Sequence, residues 1–79
     1  MPIPIDSQLA ALASATREIR ARQQLSQETV AERGELNRKT VGQVERREIT
    51  PSFAVLVSIA HGLDVPLSEL VRVYEERLG

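Results

Sequence analysis

Seventy-nine residues make one small domain, residues 1–79, whose core is marginal and to which a second copy would add useful buried area. With no cysteine and one histidine, His61, the chain has no disulfide framework, no thiolate or multi-histidine metal site and one candidate base at most, so neither an enzyme nor a cofactor is expected. A net charge of −1 argues at face value against a nucleic-acid partner, no apolar run nears the roughly 20 residues that span a bilayer, and MPIPIDSQ lacks the regions of a signal peptide, so a cytoplasmic protein is expected.

The pattern predicts five helices and no strand. In the first, Asp6 or Ser7 caps, Ile5 staples onto the opening turn, and Leu9, Leu12, Thr16 and Ile19 form an inward stripe that runs to about Gln23. Ser26 to Glu45, SQETVAERGELNRKTVGQVE, then has the form of two short helices crossing over a tight turn. Ser26 caps the first of these, about Gln27 to Arg33, with Glu28 at the positive end of its dipole; Asn37 caps the next, about Arg38 to Arg46. Gly34, Glu35 and Leu36 form the break. A steep crossing needs one small residue, which Ala31 supplies, while Val30, Leu36, Val41 and Val44 have inward spacing. Arg38, Lys39, Thr40, Gly42 and Gln43 are left facing outward, a set of donors with one gap for close approach.

Thr50 is expected to cap a fourth helix with Pro51 in its first turn and Gly62 as its left-handed terminator. Apolar residues lie nearly all round that helix, which predicts that it is the buried centre of the domain, with His61 favourably placed at its negative end. After LDVP a fifth helix, about Leu67 to Leu78, carries more apolar residues than one core face requires. Leu70, Val73 and Val71 can cover the core, leaving Tyr74 and Leu78, with Val55 of the fourth helix, to meet a symmetry mate; the alternative is that Tyr74 packs over the domain's own edge.

In this order these residues resemble the Cro and lambda-repressor-like, or XRE, helix-turn-helix family. The likeness runs from about Ile19 to Leu70: an Ile-Arg pair late in the first helix, Leu25-Ser26-Gln27-Glu28, Val44-Glu45-Arg46, Thr50-Pro51, and Leu63-Asp64-Val65. The resemblance implies an all-α, five-helix, lambda-repressor-like DNA-binding domain. It also implies a phosphate contact at Gln27 and an internal ion pair between Arg20 and Glu45. Two positions depart from the family, which usually has glycine where Glu35 and Arg47 stand; a non-glycine residue with positive φ costs of order 1 kcal/mol.

Charge distribution answers the objection from net charge. Residues 17–47 hold eight basic and five acidic side chains, whereas residues 48–79 hold two basic and five acidic, so a basic half carries the motif and an acidic half turns away. With the third helix in the major groove, Arg38 and Lys39 are candidates for guanine, Gln43 for adenine, and Thr40 for a thymine methyl or a phosphate. Gln27, beside the free N–H groups of the second helix, and Arg46 are candidates for the DNA backbone. Glu28 and Glu32, four apart, form an acidic face that is either merely solvated or a contact for RNA polymerase.

The expected function is a sequence-specific DNA-binding transcriptional regulator, a homodimer on a palindromic operator, of the compact kind found in phage, plasmid, toxin-antitoxin and restriction-modification circuits. The competing reading is a protein-interaction module on the same fold, supported by the acidic pI and the missing turn glycines. The donor array of Gln27, Arg38, Lys39 and Gln43 separates the two, because an interaction module has no use for donors at both groove and phosphate positions.

Overall fold

A computed structural model describes residues 2–79, which form five helices: α1 (Ile5–Arg22), α2 (Gln27–Gly34), α3 (Arg38–Glu45), α4 (Phe53–Gly62) and α5 (Leu67–Leu78). Among the described residues there is no strand. One apolar core joins all five: Leu12, Ala15 and Ile19 of α1, Val30 and Ala31 of α2, Val41 and Val44 of α3, Ile59 and Ala60 of α4, Leu63 beyond it, and Leu70 and Val73 of α5. Helix α1 lies against α5 and α3, while α2 packs on α4 and α3.

Ser26 and Asn37 cap α2 and α3 as their side chains allow, accepting from the N–H groups of Thr29 (3.0 Å) and Lys39 (2.9 Å). Elsewhere the boundaries differ from expectation. Neither Asp6 nor Ser7 caps α1; it begins at Ile5, and the Pro4 carbonyl accepts from Gln8 N–H. The cap of α4 is Ser52, which accepts from Val55 N–H at 3.2 Å, so Thr50 and Pro51 both precede the helix. Proline fixes its own φ without stopping the next residue from capping, and Ser52 has the hydroxyl in the right place.

Gly62 is not the left-handed terminator of α4. All four interhelical junctions close through a non-glycine residue of positive φ: Gln24 (57°), Glu35 (55°), Arg47 (61°) and Asp64 (60°). In each, the N–H of the following residue reaches back to a carbonyl five residues earlier. Leu25 bonds Arg20, Leu36 bonds Ala31, Glu48 bonds Gln43 and Val65 bonds Ala60, at 2.7–3.1 Å. The turn geometry for which the family uses glycine is therefore present at Glu35 and Arg47 without it.

The glycines serve proximity instead. A Cβ on Gly34 would strike the Ser58 carbonyl oxygen, and one on Gly62 the Val30 carbonyl oxygen. These two residues end α2 and α4 and bring the helix backbones into direct contact; Ala31, the small residue expected where α2 crosses α3, is buried.

Helix α4 is not the buried centre either. Only Ile59, Ala60 and Gly62 are buried along it, whereas Phe53 is 71% and Val57 43% exposed. An all-round apolar helix is covered only when elements exist on every side, and α4 has α2 on one side and a limited contact with α5.

Candidate nucleic-acid interface

The motif is α2 and α3 with the turn Glu35-Leu36-Asn37. Val41 and Val44 are fully buried and fix which side of α3 faces the core. On the other side Arg38 and Lys39 are exposed and Gln43 half-buried, while Thr40, also half-buried, stands nearer the core-facing valines. All four candidate base-reading side chains thus stand on one short helix whose first turn is pinned by Asn37.

Behind this face Glu45 ties three helices together. Glu45 is 4% exposed, and its carboxylate accepts from Arg20 Nε at 2.7 Å and Arg20 Nη2 at 2.9 Å, a two-point pair. The hydrogen bond to Glu45 raises the Arg20 pKa above its ordinary value, burial opposing it less strongly. Gln27 Nε2 donates to Glu45 Oε1 at 3.1 Å, and Arg17 Nη1 donates to the Glu45 carbonyl at 2.6 Å. The Gln27 amide is therefore not free but held, with one N–H and its oxygen still available beside the N-terminus of α2. Arg17 was not singled out from the sequence; its place three residues before Arg20, on the same face of α1, was the signal.

The outer cations have acidic neighbours. Arg38 Nη1 lies 3.3 Å from Glu28 Oε2, and both side chains are exposed. Arg46 folds back to Glu48, with Nε to Oε2 at 2.9 Å and Nη2 to Oε1 at 3.3 Å. That hydrogen bond holds Glu48 below the usual carboxylate range, helped by the nearby charges of Arg46 and Lys39, and raises the pKa of Arg46. Folding back also lays the Arg46 guanidinium over Gly42, where an added Cβ would come within 2.7 Å of Nη1. Gly42 is consequently buried, not the open gap expected on the groove face. Among the described residues Glu32 and Lys39 make no ion pair.

Of the residues expected at a dimer contact, Val55 and Tyr74 are half-buried against the chain's own core, and Leu78 is half-buried beside Pro2, Ile3, Pro4 and Ser7. The exposed large apolar side chains are Phe53 and Val57, four apart on α4, Val71 on α5, and Ile3 and Ile5 at the start of α1. An apolar groove of about 260 Å³ runs between the start of α1, Pro51, Leu56 and α5, with Val71 and Tyr74 in its wall. Helix α5 is fastened to α1 by Arg77–Glu18 (2.6 Å) and Arg22–Glu69 (3.3 Å). No single helix among the described residues is long and apolar enough to cross a membrane.

Comparison with known proteins gives one family. The helix-turn-helix family model matches residues 17–70, which bracket the Arg20–Glu45 pair, α2, α3 and α4. The restriction-modification controller protein C.AhdI from Aeromonas hydrophila is 37% identical; the match covers 78% of this chain and 94% of that one, with a TM-score of 0.73. Two more distant structures share the fold. They are the wild-type restriction-modification controller protein C.Esp1396I (21% identity, TM-score 0.82, 89% and 92% of the two chains) and the clp gene regulator ClgR from Corynebacterium glutamicum (22%, 0.82, 98% and 80%). No curated protein matches.

Proposed function

We infer that this chain, which belongs to the helix-turn-helix family of the XRE (Cro/C1) type and is a non-enzymatic, DNA-binding transcriptional regulator, works as a homodimer that reads a palindromic operator with α3 in the major groove. The observation that carries this is the outward face of α3, where Arg38, Lys39 and Gln43 project from a helix whose inner side is locked by Val41 and Val44. Arg38 and Lys39 read guanine O6 and N7, Gln43 reads adenine N6 and N7, and Thr40 contacts a methyl group or a phosphate. Gln27, with the open N–H groups of α2, and Arg46 grip the sugar-phosphate backbone and set register.

The likeness to C.AhdI supports a place in the control of a restriction-modification system. Residues 1–79 act as one DNA-binding domain in the cytoplasm, where the DNA is. Pairing of two copies places the recognition helices about one DNA turn, roughly 34 Å, apart. Exposed Phe53, Val57 and Val71 supply apolar surface for that pairing, with Tyr74, Leu78 and Val55 lying behind or beside it.

Selection of bound sequences from a random duplex pool by the purified protein tests the proposal. A palindrome with half-sites about one turn apart supports the dimeric operator reader. Recovery of no motif, with only weak and steeply salt-dependent binding, refutes it.

A further inference from the structure

We propose that Phe53 of each copy docks into the apolar groove of the other, between Pro51, Leu56 and α5, so that two reciprocal aromatic anchors hold the homodimer. Phe53 is the one phenylalanine of the chain and stands 71% exposed at the first residue of α4, with nothing among the described residues to cover it. It does not line the groove of its own chain, but the groove adjoins it: Pro51 and Leu56, close to it in sequence, line the α4 side, and Val71 and Tyr74 line the α5 side. An apolar cavity of about 150 Å³ holds a benzene ring, so a groove of about 260 Å³ has room for the phenyl ring. Among the described residues no charged side chain lines it; Gln8 and Thr50 are its polar members.

A knob and a hole that adjoin on one surface complement each other across a two-fold axis. The axis that brings Phe53 of one copy to the groove of the second returns the second copy's Phe53 to the first. A different protein would need only one of the two features. The charges agree with a second copy: residues 49–60 carry none, in a chain that is 27% charged. Arg72, next to Val71, is already held between Glu69 at 2.8 Å and Glu76 at 2.6 Å, so closure leaves no charge unpaired against apolar surface. Aromatic side chains that fill desolvated pockets are the usual energetic centres of an interface. Only a short connection separates Arg46, the C-cap of α3, from Pro51, so the seat of Phe53 also sets the distance between the two recognition helices.

The inference rests on the homodimer proposed above, and its test separates the two. The chain has no cysteine, so the single variants Phe53→Cys and Val71→Cys, both at exposed positions, carry the only thiols. They are mixed in equal amounts on the selected operator, treated with a short bismaleimide, and the crosslinked species are identified by mass spectrometry. The mixed dimer keeps one intact anchor in one intact groove. A crosslink from position 53 of one chain to position 71 of the other should exceed those between like positions. In sedimentation without DNA, Phe53→Ala should raise the dimer dissociation constant about 100- to 1000-fold, because each dimer loses two anchors. Crosslinks mainly between like positions, no crosslink at all, or an unchanged dissociation constant for Phe53→Ala would overturn the docking while leaving the homodimer intact. A parent protein that sediments as a monomer both free and on the operator overturns both.

Discussion

One substitution, glycine to alanine, should have opposite effects at three glycines. At Gly42, inside α3, alanine removes the entropic disadvantage of glycine in a helix, about 1 kcal/mol. Its Cβ meets only the far end of Arg46, an exposed and flexible side chain that can swing away at little cost. The expected net gain is about 0.5–1 kcal/mol, which raises the midpoint of a domain this size by about 2–8 °C. At Gly34 and Gly62 the new methyl meets backbone instead: the Ser58 carbonyl in one case, and in the other the Val30 carbonyl with Val30 Cγ1 at 3.0 Å. Neither can move without separating α2 from α4, so overpacking of about 1–3 kcal/mol or more outweighs any helical gain, and each variant should lose about 2 kcal/mol. Thermal and urea melts of the three variants decide the matter. The expected fall for Gly34→Ala and Gly62→Ala is about 8–16 °C; a neutral result at either would mean that α2 and α4 do not meet through these residues.

Further outcomes are open to measurement. Glu35→Gly should raise stability by about 0.5–1 kcal/mol in urea unfolding, because relief of a left-handed φ of 55° exceeds the added freedom of the unfolded chain; a loss would mean that Glu35 is unstrained. Glu45→Ala should cost about 2 kcal/mol, below the 3–5 of a fully buried pair because the Arg20 side chain is still 24% exposed, whereas replacing both residues by methionine should restore most of it. Acid should weaken α5 and its ties to α1: Arg72 of the same helix, with Arg22 of α1, holds the Glu69 pKa down to about 2, and Arg77 lowers that of Glu18 across the two helices. Such depressed carboxylates stabilise the fold above their unfolded pKa near 4.3, and the contribution fades as pH falls from there through about 2. Acid titration of the double variant Glu18→Gln/Glu69→Gln should therefore be flatter than that of the parent in that window. Phe53→Asp should shift sedimentation toward the monomer without lowering the melting temperature of the monomer, and an unchanged dimer would remove α4 from the interface.

Helix number, helix order and the caps at Ser26 and Asn37 were legible because each depends on local spacing and on one side chain's chemistry. Arg20 and Glu45 came from family pattern, and their 2.7 Å contact across 25 residues has no local signal. What sequence could not supply was the supply of neighbours. The apolar character of α4 suggested burial, yet no element among the described residues covers Phe53 and Val57. Gly62 carries the usual mark of a helix end but serves the crossing with α2, and Asp64 takes the left-handed turn. At the candidate site, the outward residues of α3 followed from its period, whereas the folding of Arg46 over Gly42 and the retention of Gln27 by Glu45 depend on side-chain choices made in three dimensions.

The division of labour between α2 and α3 is tested most directly by measuring Arg38→Ala and Gln27→Ala against the selected operator and its full set of single-base variants. The account predicts that Arg38→Ala abolishes discrimination, worth about 1–3 kcal/mol, at one base pair of each half-site, while Gln27→Ala weakens every duplex by a similar factor and leaves the base preferences unchanged. Uniform weakening by both substitutions, with every base preference intact, would contradict it.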